Sequence, residues 1–201
     1  MDIIFNIGVR VIAFILLPFL YWRSLKGRKK GFFDWINIKF PKFKSKELID
    51  LIIISFCIIV YIVFLYDFII YKYADITKFS IIKFSNYEVG TIISIIIYSF
   101  FQIALGEEIF FRGFIKKFFS DRLGYFIGNV IQAILYGLFY LLILRTSLSL
   151  PFLIGVIACK VVIGYALAMV NEKKAKGSII TSFLISGLAN TFSILLFIFL
   201  F

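Results

Sequence analysis

The chain has 201 residues, 62% of them hydrophobic, and a mean hydropathy of +1.04. Soluble domains are nearer to about 45–50% apolar, so the composition excludes a soluble domain and predicts an all-α, polytopic transmembrane helix bundle. The formal charge is +11, but the basic residues cluster between apolar runs, where the positive-inside rule and anionic lipid place them; no nucleic-acid partner is expected.

About six apolar runs are long enough to cross a hydrocarbon core of about 30 Å as helices: 3–22, 48–71, 89–107, 125–144, 152–171 and 179–201. The first contains Arg10, has no small-residue cleavage site and leads into a basic stretch, which predicts a span, tilted or partly interfacial, rather than a cleaved signal peptide. Segment 23–47 mixes nine Lys and Arg with Phe32, Phe33, Trp35 and Phe40. It reads as an interfacial segment on the cytoplasmic leaflet or as a plain basic loop that only sets topology. Alternate connections carry nine, four and three basic residues, against three and one on the other side. The richer set belongs inside, which puts both termini outside the cell membrane. Cys57 and Cys159 sit in separate apolar runs and read as small hydrophobes rather than a disulfide framework. There is no internal repeat, and residues 1–201 are expected to form one integral membrane domain with membrane lipids as its surroundings.

Chemistry concentrates at the end of the third run, in Glu107-Glu108-Ile109-Phe110-Phe111-Arg112. A carboxylate in lipid costs roughly 2.5–3.5 kcal/mol on insertion scales. In an α-helix i and i+4 nearly share a face, so Glu108 and Arg112 are the natural structural ion pair; Glu107 points about 140° away from Arg112 and is the free carboxylate. The alternative is that both glutamates merely cap a span in headgroup water. Two later runs carry polar stripes at three- and four-residue steps: Asn129, Gln132, Tyr136 and Tyr140, then Ser182, Ser186, Asn190 and Ser193. Both should face the bundle interior, for chemistry or for plain helix–helix hydrogen bonding. Lys160 stands alone deep in the fifth run and is expected to reach one of the glutamates, as a third member of the structural ion pairs. The chain has no histidine. With neither histidine nor paired cysteines, the usual zinc ligands are missing, and no metal and no cofactor are expected.

The ordered set Glu-Glu-x-x-x-Arg, Tyr136-Gly-Leu-Phe-Tyr140 and Ser186-Gly-Leu-Ala-Asn190 resembles the CPBP group of intramembrane proteases, which takes in type II CAAX prenyl endopeptidases and bacteriocin-processing or bacteriocin-immunity proteins. The similarity spans 89–195 as a family-like core. Tyr140 and Ser186 stand where the family carries histidine; Glu107, Glu108, Arg112 and Asn190 match it. The resemblance implies that Glu107, Tyr140, Ser186 and Asn190 occupy the catalytic positions, the first pair for water activation and the second for the oxyanion. It also implies a peptide or prenylated-protein substrate, and a small residue at the position that Lys160 fills. Tyrosine, with a pKa near about 10, is a poor base at neutrality, although its hydroxyl can donate. Three readings follow: an intramembrane endopeptidase using Glu107-activated water, an inactive pseudoprotease that binds a partner as scaffold or immunity protein, and an unrelated transporter or channel. The first needs Glu107, Tyr140 and Asn190 converging on one wet site. The second needs Glu107 tied to Lys160 or Arg112 with that cavity filled, and the third needs helices broken at mid-membrane.

Overall fold

A chain that keeps its backbone out of water must satisfy it within helices, and the described residues are built that way. The computed structural model describes residues 2–25, 30–41, 45–62, 67–73 and 89–200. In order these form α1 (Asp2–Ser24), α2 (Phe32–Trp35), α3 (Ser45–Tyr61), α4 (Asp67–Tyr73), α5 (Val89–Ile97), α6 (Lys116–Leu123), α7 (Tyr125–Leu144), α8 (Leu150–Lys173) and α9 (Ile180–Leu200). Between α5 and α6 lie two π-helical stretches, Tyr98–Leu105 and Glu108–Ile115, and the whole runs together as one 34-residue helix, Gly90–Leu123. No strand occurs among the described residues, so the predicted all-α membrane bundle is what forms.

Four helices are long and apolar enough to cross a membrane: Gly90–Leu123, Tyr125–Leu144, Leu150–Lys173 and Ile180–Ile198. At the first two expected spans the corresponding apolar helices are shorter, Val11–Ser24 and Ile49–Tyr61. The third expected span, 89–107, does not end at the glutamates. Ile109, Phe111 and Phe114 keep the next turns apolar and buried, and Arg112 and Lys116 find partners inside, so the helix continues to Leu123. The pair therefore stands at mid-helix.

The long helix packs against α1, α7 and α9. Glycine sets two of the approaches. A Cβ on Gly106 would lie 3.0 Å from Cδ2 of Phe14, which carries α1 against the helix next to Glu107. A Cβ on Gly137 would lie 2.5 Å from Val161 Cγ2 and 3.0 Å from the Ile157 carbonyl, so only glycine lets α7 meet α8 this closely. At the basic end, polar contacts tie the elements together. Lys116 pairs with Glu172 at 2.7 Å, Lys174 with Asp50 at 2.9 Å, and Arg122 donates to the Tyr21 hydroxyl at 3.0 Å. The described part of segment 23–47 is folded as α2 and seats Ile36 fully buried, its Cβ 3.3 Å from a Cβ built on Gly113. The Ile179 N–H donates to the Asn37 carbonyl at 3.2 Å and Ser178 donates to the Lys39 carbonyl. With Phe33 and Phe40 exposed, this supports the interfacial reading over the plain loop.

Gly137→Ala is expected to lower the unfolding temperature in detergent by several degrees, in keeping with about 1–3 kcal/mol for overpacking. An unchanged melting curve would mean that α7 and α8 part without cost.

Candidate functional site

Adjacent residues on one helix point in different directions, and the two glutamates serve two separate networks. Glu107 faces α7. Its Oε2 accepts a hydrogen bond from the Tyr136 hydroxyl at 2.9 Å and its Oε1 one from the Tyr140 hydroxyl at 2.9 Å. Glu108 faces α9. Its Oε1 accepts from Ser186 at 3.0 Å and its Oε2 from Ser182 in a short bond. Both glutamates are buried, at 4% and 1% exposure, which excludes the headgroup-capping alternative.

Two cations balance the pair, largely through aromatic rings. Arg112 Nη1 lies 3.5 Å from Glu108 Oε1, the i,i+4 pair expected from spacing. Its guanidinium also covers the Tyr136 ring at 4.1 Å. Lys160 Nζ lies 4.0 Å from the centroid of the Tyr140 ring and 5.8 Å from that of Tyr136. Lys160 was expected to reach a glutamate; its ammonium lies over the rings of the two tyrosines that bond to Glu107. Arg112, Lys160 and Glu107 thus meet around the Tyr136 and Tyr140 rings, the cations at ring faces and the carboxylate at the hydroxyls. Ring faces carry negative potential, which holds each cation at its ring.

Ordinary winding puts Glu107 and Arg112 far apart around the helix, but Glu108–Ile115 is π-helical. The wider turn bonds i to i+5, which brings residues five apart toward one face. Arg112 is five residues beyond Glu107. The guanidinium can therefore serve both carboxylates, one directly and one through Tyr136.

Of the residues singled out by sequence, the fold joins Glu107, Tyr140, Arg112 and Lys160, and separately joins Glu108, Arg112 and Ser186. It does not bring Ser186 or Asn190 into hydrogen bonding with Glu107. Ser186 is engaged by Glu108, while Asn190 is half-buried one turn along α9 and makes no hydrogen bond among the described residues. Three participants were not singled out as site residues. Tyr136 and Ser182 lay in the polar stripes, which marked their faces but not their partners. Asn171 donates through Nδ2 to Ser182 Oγ at 2.7 Å and accepts from the Ser182 N–H at 3.1 Å. Beside Glu172 and Lys173, Asn171 reads in sequence as a headgroup residue, yet it is 1% exposed. Asn129 and Gln132 do the plain structural work of the α7 stripe, donating to the Tyr165 and Gly164 carbonyls of α8 at 3.3 and 2.8 Å.

Each oxygen of both carboxylates accepts a bond from a hydroxyl. No group of three or more His, Cys, Asp or Glu side chains converges among the described residues.

Residues 89–200 match the family model described as type II CAAX prenyl endopeptidase Rce1-like. No curated protein and no solved structure matches the chain.

Tyr140→Phe keeps the ring and removes one donor to a buried carboxylate. It is expected to destabilise the protein by about 1.5–3 kcal/mol, the range for a hydrogen bond to a charged group, read from chemical unfolding in micelles. Lys160→Met is expected to lower the melting temperature too, and by less in a Tyr140→Leu background, where the ring it covers is gone. Equal drops in both backgrounds would remove the ring contact from the explanation.

Proposed function

The chain belongs to the Rce1-like family of type II CAAX prenyl endopeptidases, and from that premise we propose that it is a pseudoprotease of the cell membrane: it keeps the family's helical scaffold and binds a peptide or prenylated-protein tail without hydrolysing it. The single observation that carries this reading is the double hydroxyl clamp on Glu107. A carboxylate that activates water must take a proton from it, so an oxygen has to meet the water within hydrogen-bond reach. Here each oxygen already accepts a bond from a tyrosine hydroxyl, which takes up one of its two acceptor sites. The tyrosines supply donors but no base, and the serine at the other histidine position donates to Glu108 rather than toward a reacting carbonyl. Of the polar groups expected at an oxyanion, Asn190 alone is uncommitted among the described residues.

Two apolar cavities, one between α3, α7 and α8 and one between α3 and α9, open beside the bundle, and Glu107 lines neither. The helices around the carboxylates are uninterrupted at mid-membrane, which speaks against the transporter reading. A binding role suits several physiological settings of one chemistry, including a scaffold for a membrane-anchored peptide or self-immunity against a membrane-active one.

A second reading has one observation in its favour. Tyr140 is the more exposed of the two clamping tyrosines, 9% against 4% for Tyr136. Its displacement by a bound peptide would open Glu107 Oε1 to water and give a slow endopeptidase.

The test is incubation of purified protein with a prenylated CAAX peptide, with Glu107→Ala as control. The expected result is peptide binding with no cleavage above the control. Hydrolysis by the wild type that disappears in Glu107→Ala would establish the second reading and overturn the first.

A further inference from the structure

The larger cavity, about 810 Å³, takes no part in the carboxylate networks. It is a groove on the membrane side of the bundle. α3 lines it from Ile53 to Tyr61, α8 lines it from Val161 to Lys173 with Lys174 just beyond, and the middle of α7 forms its floor at Ala133 and Ile134. Among its lining residues only Lys173 and Lys174 are charged, and both stand at one end. Lys174 is already matched by Asp50 at 2.9 Å. Lys173 forms no ion pair among the described residues, because its neighbour Glu172 turns to Lys116. Among the described residues lining it, the mouth therefore carries one unbalanced positive charge above an apolar trough.

The length of the trough is informative. Twelve residues of α8 separate Val161 from Lys173, about 18 Å at 1.5 Å per residue. One leaflet is half of a hydrocarbon core of about 30 Å. A groove that is charged at one end and greasy for one leaflet's depth has the dimensions of a single lipid.

We propose that this groove is a binding site for one anionic diacyl phospholipid of the leaflet at the lysine-rich end of the bundle. Its phosphate sits at Lys173 and its acyl chains lie between α3 and α8, past Ala166, as far as Val161. A zwitterionic lipid brings a phosphate too, but its own ammonium cancels that charge, so only an anionic lipid offsets Lys173 with net negative charge. A lone isoprenyl chain would carry no anion to that end. The site stands whether or not Glu107 hydrolyses anything.

Native mass spectrometry of the protein released from nanodiscs of equal parts phosphatidylglycerol and phosphatidylcholine tests it. The wild type is expected to retain one phosphatidylglycerol in preference to phosphatidylcholine. Lys173→Gln, a surface change with an unaltered elution profile, is expected to reduce that preference about fivefold, the contribution of one lysine beside an anionic surface. Ala166→Phe is expected to reduce retention of both lipids by filling the trough. Equal retention of the two lipids by the wild type would overturn the proposal, as would an unchanged preference in Lys173→Gln. Displacement of phosphatidylglycerol by an equal concentration of farnesylcysteine methyl ester would also overturn it, by assigning the groove to an isoprenyl chain.

Discussion

A carboxylate kept where there is no bulk water must receive its hydrogen bonds from the protein itself, and much of this bundle is arranged around meeting that demand twice. Tyrosines of α7 supply Glu107, and serines of α9 supply Glu108. Each supply line fixes a helix position. α7 has to come within 2.9 Å of the long helix through two hydroxyls while pressing on α8, and Gly137 and Gly164 make room for that. α9 has to present Ser182 and Ser186 on one face, and Asn171 at the end of α8 locks Ser182 in place. Hydrogen bonds to a buried charge are worth more than neutral ones, and leaving one unmade costs more still. This is why polar residues, rather than the abundant phenylalanines, dictate register here.

The absence of histidine gives those contacts their meaning. Imidazole can hold a carboxylate and also take up a proton near neutrality. The phenol of tyrosine does only the first. Tyr140 donates to Glu107, and on α9 Ser186 donates to the neighbouring Glu108. Arg112 and Lys160 lie over the ring faces of the tyrosines that hold Glu107.

Much of this was legible in the residues, and what was not has identifiable causes. The bundle followed from apolar runs, and the interior faces of α7 and α9 followed from polar steps of three and four. Glu108 with Arg112 followed from i,i+4 spacing. The joint service of Arg112 to both glutamates did not, because it depends on π winding and nothing in Glu108–Ile115 advertises a wider turn. Lys116 reads as one more basic loop residue. Only the continuation of the helix brings it to Glu172, 8% exposed and ion-paired. The bond from Ser186 to Glu108 was not foreseen for a related reason: a stripe says which way a helix faces but not how far along its neighbour it is seated.

That winding has a cost in phase. A π stretch carries more residues per turn than the helix on either side, so every side chain beyond Ile115 is rotated from where uniform coiling would leave it. The aim of Lys116 at Glu172 and the seat of Arg122 beside Tyr21 both inherit that offset. Loss of one residue from this stretch would leave hydrophobicity almost untouched, yet would swing α6 by about 100°. In this region the chain tolerates swaps of side chain far better than changes of count.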